Sequence, residues 1–176
     1  MKFYNISLNT RLLLAIISGA LVFPISFLEH NNPVIFADIG LSDVLIGAVF
    51  AILVMVPFQK RQNWLKSLLM VFASIAIYTS MVHLAVDKYS VFKLNINIDW
   101  AITISGGIGA LLTGIAVQLI ASIKLKLASY SMLLLMGLIA GYIFSHTINS
   151  SSSIVNSIGF IIWQLLVCLS ITIHKR

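Results

Sequence analysis

The stretch WAITISGGIGALLTGIAVQLIASI, from Trp100 to Ile123, decides how the rest of the chain is read. At 100° per residue, Thr103, Gly106, Gly109, Ala110, Thr113 and Gly114 project to one side, while Ile104, Ile108, Leu111, Ile115 and Leu119 project to the other. Gly106, Ala110 and Gly114 recur at every fourth position, a ladder of small side chains two turns long. In a water-soluble helix each glycine would cost about 1 kcal/mol relative to alanine. Inside a bilayer the same residues are useful, because lipid is as apolar as leucine and close backbone approach becomes a main source of helix association. Gly137, Gly141 and Ser145 repeat the spacing in a second apolar stretch, which predicts that two small-residue faces meet near mid-membrane.

The composition agrees with a membrane environment. Of 176 residues, 60% are hydrophobic and only 9% charged, and the mean hydropathy is +1.05. That is too little polar surface to cover a globule in water. The expected fold is all-α, a polytopic bundle of six transmembrane helices forming a single domain. The spans are read at about 12–28, 40–57, 66–86, 100–122, 129–146 and 154–173, each near the roughly 20 residues needed to cross the hydrocarbon core.

Charge sorts by loop. Lys2, Arg11, Lys60, Arg61, Lys66, Lys124, Lys126, Lys175 and Arg176 fall on one side, whereas Glu29, Asp38, Asp43, Asp87 and Asp99 share the other with only Lys88 and Lys93. The positive-inside rule makes the basic side cytoplasmic, with both termini inside a cell (inner or plasma) membrane. The net charge of +6 is therefore a topology signal and calls for no nucleic-acid partner. Lys2 and Arg11 ahead of an apolar run resemble the start of a signal peptide, but no small-residue cleavage site follows and Pro24 interrupts the run, so it is read as the first span with a kink. A lone cysteine, Cys168, offers neither a disulfide framework nor a thiolate metal cluster.

Most titratable groups lie in the outer half: Glu29, His30, Asp43, His83, Asp87 and His146. Asp43 sits about one turn inside the second span, where a carboxylate is expensive. His83 and Asp87 are one turn apart at the exit of the third span, and His146 closes the fifth. Imidazole and carboxylate side by side could bind a divalent metal or relay protons, and they could equally reach headgroups and water from helix ends. Gln118 and Gln164 lie deeper and need hydrogen-bond partners, from a neighbouring helix or a solute. Cys168 reads as a small hydrophobe, and no motif names a cofactor.

The string Ser105-Gly-Gly-Ile-Gly-Ala-Leu-Leu-Thr-Gly114 resembles the nucleophile-bearing fourth helix of rhomboid intramembrane proteases. The resemblance implies a serine nucleophile at Ser105, but Thr103 stands where that family usually has glycine, and Asn156 stands near the position of its histidine base. Asparagine cannot take the serine proton, so an inactive relative is the most that the string implies.

Three classes of function follow. The first is a protein that moves or binds a small solute or ion, entered near Asp43, His83 and His146 and contacting Gln164. The second is a non-catalytic accessory or assembly subunit, whose small faces bind another membrane protein; the partners expected are the lipid bilayer and either further copies of the chain or another membrane subunit. An intramembrane enzyme is the third and the least supported, because no conventional nucleophile and base can be paired.

Overall fold

The computed structural model describes residues 6–31, 35–36, 39–59, 63–86, 98–148 and 153–173, and the structural findings concern those residues. They form an all-α membrane bundle. Helices α1 (Leu8–Ala20), α2 (Val22–Asn31), α3 (Leu41–Phe50), α4 (Trp64–Val86), α5 (Ile98–Ala121), α6 (Leu127–Ile148) and α7 (Ser153–Ile173) follow one another along the chain. Between α2 and α3 lies a two-residue antiparallel ladder, β1 (Ile35–Phe36) with β2 (Ile39–Gly40). Five segments, Leu8–Phe27, Leu41–Phe58, Trp64–Ala85, Ile98–Ala121 and Leu127–Thr147, are long and apolar enough to cross a bilayer, and Ser157–Ile173 is a shorter apolar helix. Helices suit these apolar runs because each satisfies its own backbone hydrogen bonds where no water can.

Packing between neighbours in sequence closes a ring. Helix α3 packs on α4, α4 on α5, α5 on α6 and α6 on α7, and α7 returns to α1. Gly106, Gly137 and Gly141 lie in the α5/α6 contact. A Cβ added at Gly106 would lie 2.7 Å from the Gly137 carbonyl oxygen, and one at Gly137 would lie 2.6 Å from that of Gly106. One at Gly141 would meet the Thr103 backbone at 2.9 Å.

Two spans are interrupted, each next to a proline. The first breaks at Leu21 between α1 and α2. Pro24 has no N–H to offer the Ala20 carbonyl, and its ring crowds that carbonyl, so the first helix ends there. The second span passes from α3 into a π-helical turn, Ala51–Met55, and then a short 3-10 turn, Val56–Phe58. Pro57 leaves the Leu53 carbonyl without its usual donor, while the Val56 N–H reaches back to Ala51.

The bundle end where α1, α4 and α6 begin is tied together by side chains. Ser7 and Asn63 cap helix N-termini, accepting from Thr10 N–H at 3.2 Å and Leu65 N–H at 3.0 Å. Gln59, 1% exposed, donates to Ser67 at 3.0 Å and accepts from the Asn63 N–H at 3.1 Å. Lys66 Nζ donates to Ser122 at 2.7 Å, and the Gln118 side-chain oxygen accepts from the Leu125 N–H at 2.8 Å. Gln118 thus holds the turn after α5 and is not a mid-membrane group. The reading of Arg11 as a flanking loop cation is corrected: it lies in the first turns of α1, 2% exposed, with its guanidinium 4.3 Å from the Phe58 ring centre.

Candidate functional site

The two halves of the ring are filled differently. Towards the basic end, Met55, Phe58, Met70, Leu133, Val167, Cys168 and Ile171 are buried and form one continuous core. Towards the opposite end a cavity of about 460 Å³ opens, lined from all six spans.

Its shape follows from side-chain size along α5. Ser105, Gly109 and Thr113, four residues apart, line the cavity, whereas Ala110 and Gly114 turn towards α6 beside Gly137 and Leu133. The small face read from the sequence therefore serves both neighbours, α6 and the cavity, with Gly106 at the α6 contact and on the cavity lining. One strip lets α6 approach, and the other, being small, leaves space.

Opposite that strip stand α3 and α7. Asp43 lines the cavity from the first turn of α3, where its carboxylate accepts from the Gly40 N–H at 3.3 Å. The positive end of the helix complements negative charge there. Seven residues further along, Phe50 packs on Trp163, ring centres 5.4 Å apart. At 1.5 Å per residue, Asp43 and this aromatic floor are about 10 Å apart along the axis. Tyr78 and Phe160 close another wall at 5.9 Å, and Phe144 packs at a tilt on Phe160 with ring centres 4.7 Å apart. The indole N–H of Trp163 donates to the Gly106 carbonyl at 3.1 Å. Ser105 donates to the Ala101 carbonyl and Ser74 to the Gly47 carbonyl, both at 2.7 Å. Beside Trp163, Gln164 is 1% exposed, and its side-chain oxygen has no hydrogen-bond partner among the described residues.

Of the residues singled out from sequence as solute contacts, Asp43 and Gln164 both line this cavity, at its two ends. His83 and His146 do not line it. His83 is half-buried on α4, and His146 is exposed with its ring 4.5 Å from that of Tyr142. Asp87 lies outside the described residues. Among the described residues no three His, Cys, Asp or Glu side chains converge as a metal site. Ser105 lines the cavity, but no histidine among the described residues does.

Sequence reasoning missed the contribution of Phe50, Tyr78 and Phe160, for which no local pattern distinguishes cavity wall from core. It also missed the burial of Arg11. A signal existed in that case, since Ser7 followed by Thr10 marks a helix start that carries Arg11 inside the span. No protein-family model, curated protein or solved structure matches the chain.

Proposed function

We propose that this chain binds a small, largely apolar solute within a cell membrane and moves it across. The observation that carries the reading is the cavity to which all six spans contribute. Ligand sites in helix bundles are typically apolar pockets with a few placed polar groups, and Asp43 and Gln164 supply those groups here. The segregation of Lys and Arg supports an external mouth at Asp43 and cytoplasmic termini. His83 and His146, on the same side, belong to the approach and not to the binding site. The close α5/α6 seam around Gly106, Gly137 and Gly141 serves as a fixed wall.

Passage to the cytoplasmic side requires the filled half to open. The break at Leu21 and the π-helical turn Ala51–Met55 interrupt their helices close to where the cavity ends, and broken helices at membrane depth are where transporters commonly rearrange. The test is native mass spectrometry of protein extracted gently from its own membrane, comparing wild type with Gly109→Phe. Gly109 tolerates a larger side chain, since a Cβ there would meet only the flexible Met81 at 3.1 Å and Trp163 at 3.6 Å. A bound small mass in the wild type that the variant lacks is the expected result. Recovery of the protein only in fixed ratio with a different membrane protein, with no bound small mass, would overturn it in favour of an accessory subunit.

A further inference from the structure

We infer that the solute is a neutral ketone or ester on an apolar body, whose carbonyl oxygen accepts hydrogen bonds from Thr113 and Gln164 at the deep end of the cavity. The inference rests on the binding reading above and adds the chemistry of recognition. It follows from which polar hydrogens of the wall are committed and which are not. Ser74, Ser105 and Trp163 each donate their side-chain proton to a main-chain carbonyl of the bundle. Thr113 and Gln164 line the same cavity, 2% and 1% exposed, and neither side chain makes a hydrogen bond within the described residues. The Gln164 oxygen has no accessible surface, so the polar atom its amide leaves open is Nε2. The open polar atoms of the deep wall are therefore an amide nitrogen and a hydroxyl, and both can donate.

The fold brings these two donors to one place. Gln164 adjoins Trp163 on α7, and a Cβ added at Gly109 would lie 3.6 Å from the Trp163 ring. Thr113 follows Gly109 by one turn of α5, on the same face. Charge then restricts what the acceptor can be. Asp43 at the mouth is the one formally charged residue lining the cavity, with no Lys or Arg on its walls among the described residues. A carboxylate or phosphate would face that acid with no cation to pair with, and an ammonium ion would bring more donors to a floor of donors. A pure hydrocarbon would displace water and leave both donors unmet, which costs more than a made hydrogen bond contributes. A neutral carbonyl avoids all three conflicts, while Phe50, Phe160 and Trp163 offer faces to its apolar body.

The experiment is calorimetric titration of the full-length protein in nanodiscs, with empty nanodiscs subtracted. The probes are benzylacetone, a ketone; butylbenzene, nearly its shape without the oxygen; hydrocinnamate, the matching carboxylate; and the primary amine that replaces the ketone. Saturable binding of benzylacetone at least about tenfold tighter than butylbenzene or the amine, with none for hydrocinnamate, is expected. Thr113→Val keeps the shape and removes a donor, so it should weaken benzylacetone about fivefold and narrow its lead over butylbenzene, whereas Thr113→Ser should preserve that lead. Gln164→Leu should act as Thr113→Val does. Equal binding of benzylacetone and butylbenzene, preference for the amine or hydrocinnamate, or wild-type selectivity in both Thr113→Val and Gln164→Leu would overturn the carbonyl assignment and leave the cavity reading standing. Absence of saturable binding by any probe, with wild type and Gly109→Phe alike, would overturn both. Monodisperse elution and wild-type helicity show that each variant is folded, and the nearly isosteric Thr113→Val carries the test if Gln164→Leu is not.

Discussion

One ring of helices carries two interiors. In the basic half the facing positions are Met55, Phe58, Met70, Leu133 and Ile171, none more than 1% exposed, and Gln59 seals the end. In the acidic half the same helices present Ser105, Gly109 and Thr113 from α5 against aromatics of α3, α4 and α7. Both halves are built largely from apolar side chains, so hydrophobicity does not separate them. Side-chain volume does. A void in a packed interior forfeits dispersion contacts on all its walls, and lipid surroundings return nothing for it. A hollow of about 460 Å³ in the acidic half is therefore the feature that needs a function.

The largest effect that sharpens this contrast comes from two glycines of opposite role. Gly141→Leu places a branched side chain against the Thr103 backbone at the α5/α6 seam and should destabilise the protein by about 3 kcal/mol or more, leaving aggregate on size-exclusion chromatography. Gly109→Leu should elute as folded protein and lose only its bound solute. Recovery of folded Gly141→Leu at wild-type yield would mean that the seam has room to spare.

A second contrast compares two truncations. Leu133→Ala, in the filled half, should cost about 3 kcal/mol because the core cannot collapse around it. Ile77→Ala, on the cavity wall, merely widens an existing space and should cost about 1 kcal/mol or less. Thermal melts of the two variants in the same detergent check the difference, and equal shifts would break the distinction between the halves.

The smallest effect concerns Arg11. Its three guanidinium nitrogens have no hydrogen-bond partner among the described residues, only the Phe58 ring. An unpaired buried cation is costly enough that an apolar replacement of similar length often stabilises. Arg11→Met should therefore raise stability by about 1 kcal/mol. A fall in melting temperature of the same size would show that the Phe58 contact outweighs desolvation.

How much of this was legible in the chain depended on what hydropathy can encode. Apolar runs and the sorting of Lys and Arg name the all-α membrane class, because span length and loop charge are one-dimensional properties. Gln164 and Asp43 stood out as polar residues at depth. Rotation about each helix axis was not legible, and the site turns on it. Thr113 and Gly114 are adjacent in sequence, yet one faces the cavity and the other faces α6. His83 and His146 share a depth with the cavity and face elsewhere. Gln118 looked as deep as Gln164 until the end of α5 placed it at a turn.

The most direct test uses Cys168, buried in the filled half, as its own control. A membrane-impermeant, cationic methanethiosulfonate reagent is applied from each side of sealed vesicles to wild type and to Ser105→Cys. The thiol introduced by Ser105→Cys should label from the Asp43 side, with Cys168 silent from both sides. Labelling of Cys168 as fast as the introduced thiol would contradict a hollow half set against a filled one, as would a Ser105→Cys variant that stays unlabelled from either side.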